Sequence, residues 1–268
     1  MINNYVYNIL FNNLFFLKFL FKKIIYIEYN HDFSNLFFFN PDKLKKVLLK
    51  DWDETKKDSD DYFYYHSFNW LKTAKEIGGS KLVKITRDKI LNWEKKYNNL
   101  FFLNRSEPVY IAQRIINLIY HYDFFGSSAH KKDKVKLNFI IFTNYIYLKK
   151  ITNKRNFRIN LIEVTKAILL FEAINKFSTE KIIEKIKNNI LSEINIKGVH
   201  ISMNPQTHAE YINHLIEINN ILLYFKIKTP KEIEFQIINM IRALKSFVHK
   251  DGSLTYFNGS NNYYNNNI

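Results

Sequence analysis

From residue 60 onward, apolar side chains recur at i, i+3, i+4 and i+7 in blocks of about 16 to 20 residues, with short polar breaks between blocks. The helical period of 3.6 residues gathers such a set on one face, whereas the strand period of two would scatter it over both. The pattern predicts helices near 61–75, 80–97, 107–124, 131–151, 158–174, 178–194, 206–226 and 230–249. The breaks carry helix-ending chemistry. Gly78-Gly79-Ser80 closes one helix and caps the next, and Gly126-Ser127-Ser128 and Ser178-Thr179-Glu180 mark two further boundaries. Ser106-Glu107-Pro108, Asn204-Pro205 and Thr229-Pro230 each place a capping residue before a first-turn proline. With Gly at 6 and Pro at 4 in 268 residues, a turn-rich β-sandwich or barrel is excluded. Two short pieces, 198–202 and 253–257, read as extended, and neither can make a sheet alone. Regular helices joined by short loops imply an antiparallel array: a bundle, a solenoid or an (α/α) toroid. The absence of a fixed-period repeat favours a toroid or an irregular bundle.

The most hydrophobic stretch, residues 5–27, is interrupted by Asn8, Asn12, Asn13, Lys18, Lys22 and Lys23. A bilayer span needs about 20 uninterrupted apolar residues, and a secretory signal needs a basic start and a small-residue cleavage site. Neither pattern is present, so 1–40 is read as an apolar helical segment docked on the core, with no membrane span. Without a targeting signal the expected location is the cytoplasm, with the periplasm as the alternative. The Asn/Tyr-rich end, 261–268, is expected to be a disordered tail.

Lys and Arg number 40 against 25 Asp and Glu, a formal net charge of +15. Such an excess points to a polyanionic partner. Only six of the 40 are Arg, however, and the Lys residues are spread through the chain alongside Asn, Ile, Phe and Tyr. A compositional drift of this kind marks no patch, so no nucleic-acid partner is expected; a basic nucleic-acid-binding helical protein is the alternative that rests on charge alone. Cys is 0, which removes disulfides, thiolate metal sites and cysteine nucleophiles together. No phosphate-binding glycine loop, dinucleotide fingerprint, zinc-protease helix or serine elbow occurs. No cofactor and no metal are therefore expected.

Three polar clusters remain. The first, Asp61 to Leu71, is dense in Tyr, His and Trp. Such density serves helix packing, and an aromatic surface including Trp70 can also stack on sugar rings. In the second, Arg114, Asn117 and His121 are spaced to share one face of a helix. A planar, permanently charged guanidinium suits a carboxylate or sulfate, or an internal ion pair. The third runs from Gly198 through His200, Asn204 and Pro205 to His208, Tyr211 and His214. His titrates near neutrality and Tyr is an available acid, so this set can move protons. As metal ligands the His residues are poorly spaced.

Around the third cluster the chain resembles heparinase II/III-like proteins. Their Gly-Gly-His-x-Ser-x-Asn-Pro element stands here as Gly198 to Pro205. Their closing His-x-Asp-Gly-x-Leu-x-x-Phe-Asn-Gly stands as His249, Asp251, Gly252, Leu254, Phe257, Asn258 and Gly259. The stretches 66–79, 107–125 and 158–174 agree in order, so the resemblance covers roughly residues 40 to 260. It implies an all-α fold, an incomplete (α/α) toroid of antiparallel helix pairs over 41–260, in a family that includes polysaccharide lyases.

Such lyases cleave uronate-containing acidic polysaccharide by β-elimination: the uronate carboxylate is neutralised, a base takes the C5 proton, and an acid protonates the leaving oxygen. Residue chemistry and the resemblance together nominate His208, Tyr211 and His200 as catalytic. They nominate Arg114, Asn117, His121, Asn160, Asn204 and Trp70 as substrate-binding, with Arg114 or Asn160 neutralising the carboxylate. This chain has Thr207-His208 where characterised lyases of the family present a Tyr-His or similar pair. The resemblance also implies a C-terminal β-sandwich beyond Asn258-Gly259. The expectation is a truncated, split or fragmentary chain that pairs with a separate sandwich polypeptide. A non-catalytic glycan-binding or scaffold protein is the alternative.

Overall fold

The computed structural model describes residues 39–49, 59–153 and 161–260. The expected N-terminal helical segment (all but its last two residues), Asn160 and the 261–268 tail lie outside these residues. The chain divides into two compact units, whose described parts are 39–153 and 161–260.

The first unit runs α1 Pro41–Leu49, α2 Asp60–His66, α3 Leu71–Ile77, α4 Ser80–Tyr97, α5 Leu100–Arg105, α6 Pro108–Tyr120, α7 Tyr122–Gly126 and α8 Lys131–Thr152. Helix α6 is its centre. Ile111, Ile115, Ile116, Leu118 and Ile119 are all buried, so the helix is apolar around most of its circumference. It packs against α8, α2 and α3. Helix α4 buries only Thr86, Ile90 and Trp93, as an outer amphipathic helix does.

The single helix expected over 61–75 is two helices. Between α2 and α3, Phe68 takes a left-handed φ of 60°, a conformation costing about 1–2 kcal/mol for a residue with a Cβ. Burial offsets that cost: Phe68 and Trp70 are fully enclosed, and the Phe68 ring meets the Trp93 ring edge-on at 5.3 Å. The helix expected over 107–124 likewise breaks at His121 into α6 and α7. Helices α1 and α5 were not expected from the periodicity; both are under ten residues long.

The second unit runs α9 Ile162–Ile174, α10 Glu180–Glu193, α11 Pro205–Tyr224 and α12 Lys231–Leu244, followed by a 3-10 turn, Lys245–Phe247. Helix α9 is buried almost throughout and packs against α10 and α11, while α12 closes on α10 and α11. Short loops join α9 to α10 and α11 to α12, so those two pairs are antiparallel. Helix α11 starts where the sequence places it: Asn204 Oδ1 accepts the Thr207 N–H at 3.0 Å, and Pro205 takes the first turn. The two extended pieces form only isolated antiparallel bridges, Ile194 with His200 and Val248 with Leu254. Gly198, at φ 76°, lets the turn between them approach α12; a Cβ there would lie 2.9 Å from the Asn239 carbonyl carbon and oxygen. The architecture is all-α, with no sheet among the described residues. No helix of the described residues is long and apolar enough to cross a membrane.

Candidate functional site

The Arg114 cluster lies inside the first unit. The Arg114 side chain is fully buried. Its Nε donates to the His66 carbonyl at 2.6 Å and its Nη1 donates to Asn144 Oδ1 at 2.6 Å. One turn along α6, Asn117 Nδ2 donates to the Ser67 carbonyl at 2.9 Å and to Asn69 Oδ1 at 2.7 Å. These two side chains satisfy the last carbonyls of α2 where the backbone turns at Phe68, groups that a helix end leaves without internal partners. A cation there also meets the negative end of the helix. The guanidinium carbon stands 4.4 Å from the centre of the Trp93 ring. Burial pushes the guanidinium down to about 9, and the Tyr62 phenol opposes the change. Trp93 Nε1 donates to His66 Nδ1 at 3.1 Å, which fixes the His66 ring beneath. Trp70 is fully enclosed, with Nε1 donating to the Tyr65 carbonyl at 3.3 Å. His121 is buried at the end of α6.

The second unit gathers the third cluster and adds partners to it. His200 Nδ1 accepts the Ser202 N–H at 3.2 Å and lies 2.8 Å from Ser202 Oγ. Its Nε2 therefore carries the hydrogen, facing Glu193 Oε2 at 3.5 Å. The His200 ring stands 5.3 Å from the Tyr211 ring. The Tyr211 hydroxyl is buried and has no hydrogen-bond partner among the described residues. Burial, then the carboxylates of Glu193 and Glu163, push that phenol well above its ordinary range, so it keeps its proton at neutral pH. Burial, then His208, push His200 below the ordinary His value, so it is neutral there.

His208 is fully enclosed with both ring nitrogens engaged. Nδ1 accepts the His200 N–H at 3.3 Å, and Nε2 pairs with the Met240 carbonyl at 2.9 Å, as donor because a carbonyl can only accept. The residue ties the His200 strand to α12.

Beyond Tyr211, positions 214 and 217 continue the same stripe along α11. Lys166 Nζ donates to Glu217 Oε2 at 2.7 Å and approaches His214 Nδ1 at 3.0 Å. An ammonium has only hydrogens to give, so His214 Nε2 presents its hydrogen to Glu163 Oε1 at 3.2 Å. Burial raises the Glu163 carboxyl, but the hydrogen bond and electrostatic pull of the His214 N–H, its own backbone hydrogen bond and Lys166 together bring it down to about 2.

Around this centre the side chains of Ile201, Met203, Tyr256 and Phe257 are exposed. Asn204 Nδ2 donates to the Asn258 carbonyl at 2.8 Å and Asn258 Nδ2 donates to the Met203 carbonyl at 3.2 Å, so the Tyr256–Asn258 segment is held beside the Ser202–Asn204 turn. Among the described residues no group of three or more His, Asp or Glu is placed to hold a metal ion.

The structure thus brings His200, Tyr211 and His208 together in one unit with Asn204 at its rim, and places Arg114, Asn117, His121 and Trp70 in the packed interior of the other. Glu193, Glu163, Lys166 and Glu217 were missed. Glu163 and Lys166 had a legible signal: two charges three residues apart in a helix whose other positions are almost all apolar. Glu193 had none, because its pairing depends on the bridge that folds His200 back beside Ile194.

No family model and no curated protein matches this chain. The fold is that of the all-α toroids built from antiparallel helix pairs. It is shared with the crystal structures of heparan sulfate lyase HepC from Pedobacter heparinus and of a HepC mutant, with TM-scores of 0.59 and 0.58 at 14% identity. The likeness covers 90% of this chain and 44% of the lyase, so the chain spans less than half of that protein's length.

Proposed function

We propose that this chain is the helical part of a polysaccharide lyase that cleaves an acidic, uronate-containing glycan by β-elimination. One observation carries the assignment of roles: a protonated Tyr211 hydroxyl without an acceptor stands beside a neutral His200. Leaving a buried hydroxyl unpaired costs about 1–3 kcal/mol, and such an orphan calls for a functional acceptor. The glycosidic oxygen is that acceptor. With the turn opened, His200 Nδ1 is released from the Ser202 N–H and its lone pair takes the C5 proton, the C4–C5 double bond forms as the C4–O bond breaks, and the Tyr211 phenol protonates the departing oxygen. The imidazolium then returns its proton to the phenolate. Glu193 orients His200, and the exposed aromatic rings of Tyr256 and Phe257 supply faces for the flanking sugars. Because Tyr211 is covered, the Gly198–Asn204 turn must move to admit the glycan. His208 holds that turn in register. Arg114, Asn117, His121 and Trp70 serve the reaction through the fold, and Asn160 is the remaining candidate for the uronate carboxylate. The fold shared with a heparan sulfate lyase supports the substrate class.

The test is the absorbance of unsaturated uronate on incubation with heparan sulfate, chondroitin sulfate and alginate. Product is expected from one of them, abolished in His200→Ala and reduced about 100-fold or more in Tyr211→Phe. Since the base must be neutral and His200 titrates below its ordinary 6.5, the acid limb of kcat should fall below that pH. No product from any glycan at excess protein would sink catalysis by this chain alone. The burial of Tyr211 would then favour the second reading, a glycan-binding protein without turnover, checked by calorimetry with the same glycans.

A further inference from the structure

The last helix of the second unit, α12, has two apolar faces. Ile233 and Met240 are buried on the side that packs against α10 and α11. On the side turned away from them, Phe235, Ile238 and Ile241 are exposed at 62%, 50% and 40%. At the helical period these three fall within one arc with Ile238 at its middle, about 150° round the helix from the buried pair. Exposed apolar residues scattered singly are ordinary, but three on the outer face of one packed helix form a patch. The charges nearest Ile238 on this arc are Glu234 and Arg242, both exposed, four residues before it and four after it. Phe235 and Ile241 stand three before it and three after it. The face is therefore symmetric in position about Ile238 and opposite in charge at its two ends.

We propose that the outer face of α12 is a self-association surface, on which a second copy of this chain docks with its own α12 antiparallel and Ile238 at the two-fold axis. Such an axis brings two residues level with each other when they lie equally far from the centre on opposite sides. Glu234 of each copy then meets Arg242 of the other, and Phe235 of each meets Ile241 of the other, around a central pair of Ile238 side chains. A parallel pairing would set Glu234 against Glu234 and Arg242 against Arg242, so the order of charges selects the antiparallel one. Lys231 and Lys245 also come level with each other, but about 10 Å from the centre. Helices crossing at an angle have diverged there, and exposed lysines bend away. One helix pair covers less than the ~800 Å² per partner of a standard interface, so the dimer is a weak one, in the micromolar range.

Sedimentation velocity of the full chain between about 1 and about 200 µM, a span that brackets a micromolar Kd, reads the association directly. A monomer–dimer equilibrium is expected. Glu234→Arg and Arg242→Glu should each weaken it about tenfold or more, since each sets like charges against one another on both sides of the axis. Both positions are exposed, so the fold is kept. The exchanged chain, Glu234→Arg with Arg242→Glu, restores both pairs with their signs swapped and should recover the wild-type Kd. The chain has no cysteine, so Ile238→Cys should yield a disulfide-linked dimer on mild oxidation. Glu234→Cys should not, because its two copies stand about 12 Å apart along the axis. A wild-type chain that stays monomeric would overturn the proposal and leave the face to another occupant, the apolar residues 5–27 or a separate polypeptide. So would a dimer insensitive to Glu234→Arg, or an exchanged chain no tighter than the single variants.

Discussion

Glu163 shows how one carboxylate is set by its neighbours. Its folded value of about 2 against an ordinary 4.5 is a stabilising shift, present above pH 4.5 and lost as pH falls toward 2. The side chain is a quarter exposed, so solvent screening reduces the contribution to about 2 kcal/mol. Denaturant unfolding of Glu163→Gln against wild type should show a deficit of that order at pH 6, closing to near zero at pH 2. A deficit constant with pH would detach the effect from ionisation.

At the scale of elements, the α9–α11 seam depends on a buried ion pair. Lys166 and Glu217 are almost wholly enclosed, at 3% and 9% side-chain exposure. Removing the carboxylate takes that counter-charge away from the buried Lys166 ammonium, so Glu217→Leu should cost about 3–5 kcal/mol. Lys166→Met combined with Glu217→Leu should recover most of that loss, because two apolar chains of similar volume remove both desolvation penalties. Chemical denaturation of the two variants measures the difference; a double variant as unstable as the single would mean that packing alone decides the seam. This seam also marks how far the sequence could be read. Helix boundaries carried by Pro108, Pro205 and Gly79 fall within a residue or two of expectation, since caps and first-turn prolines act locally. The break at Phe68 has no local signature, because a phenylalanine in left-handed backbone is held there by Trp93 and by α6. That His200, Tyr211 and His208 lie close together was legible from their spacing. How each ring is engaged was not, because that turns on Met240 and Glu193, contacts made by folding.

For the molecule as a whole, the net charge of +15 is carried mainly by Lys scattered through the sequence. Diffuse charge attracts polyanions without choosing among them, and its reach shrinks to about 8 Å at physiological ionic strength. Retention on immobilised heparin and on an unrelated polyanion should therefore fall in parallel as salt rises. Retention on the first that survives salt which abolishes the second would show charge selectivity that the scattered lysines do not provide. The all-helical class and its antiparallel pairing were readable from period and loop length. The fold shared with a lyase at 14% identity became apparent in three dimensions.

The hydrogen bonds from Asn204 to the Asn258 carbonyl and from Asn258 to the Met203 carbonyl join positions 54 and 55 residues apart. They fasten the Tyr256–Asn258 segment to the turn that carries His200. Structures latched in this way open as one cooperative unit. The backbone amides of Ser202 to Asn204 and of Thr255 to Phe257 should thus exchange with deuterium at a common rate, and Asn258→Ala should accelerate both segments together. Independent rates would leave the latch without mechanical effect. If the rates move as one, entry of a ligand to Tyr211 is governed by residues about 45 positions further along the chain, and a ligand gripping the aromatic rim would itself shift the latch toward its open or closed state.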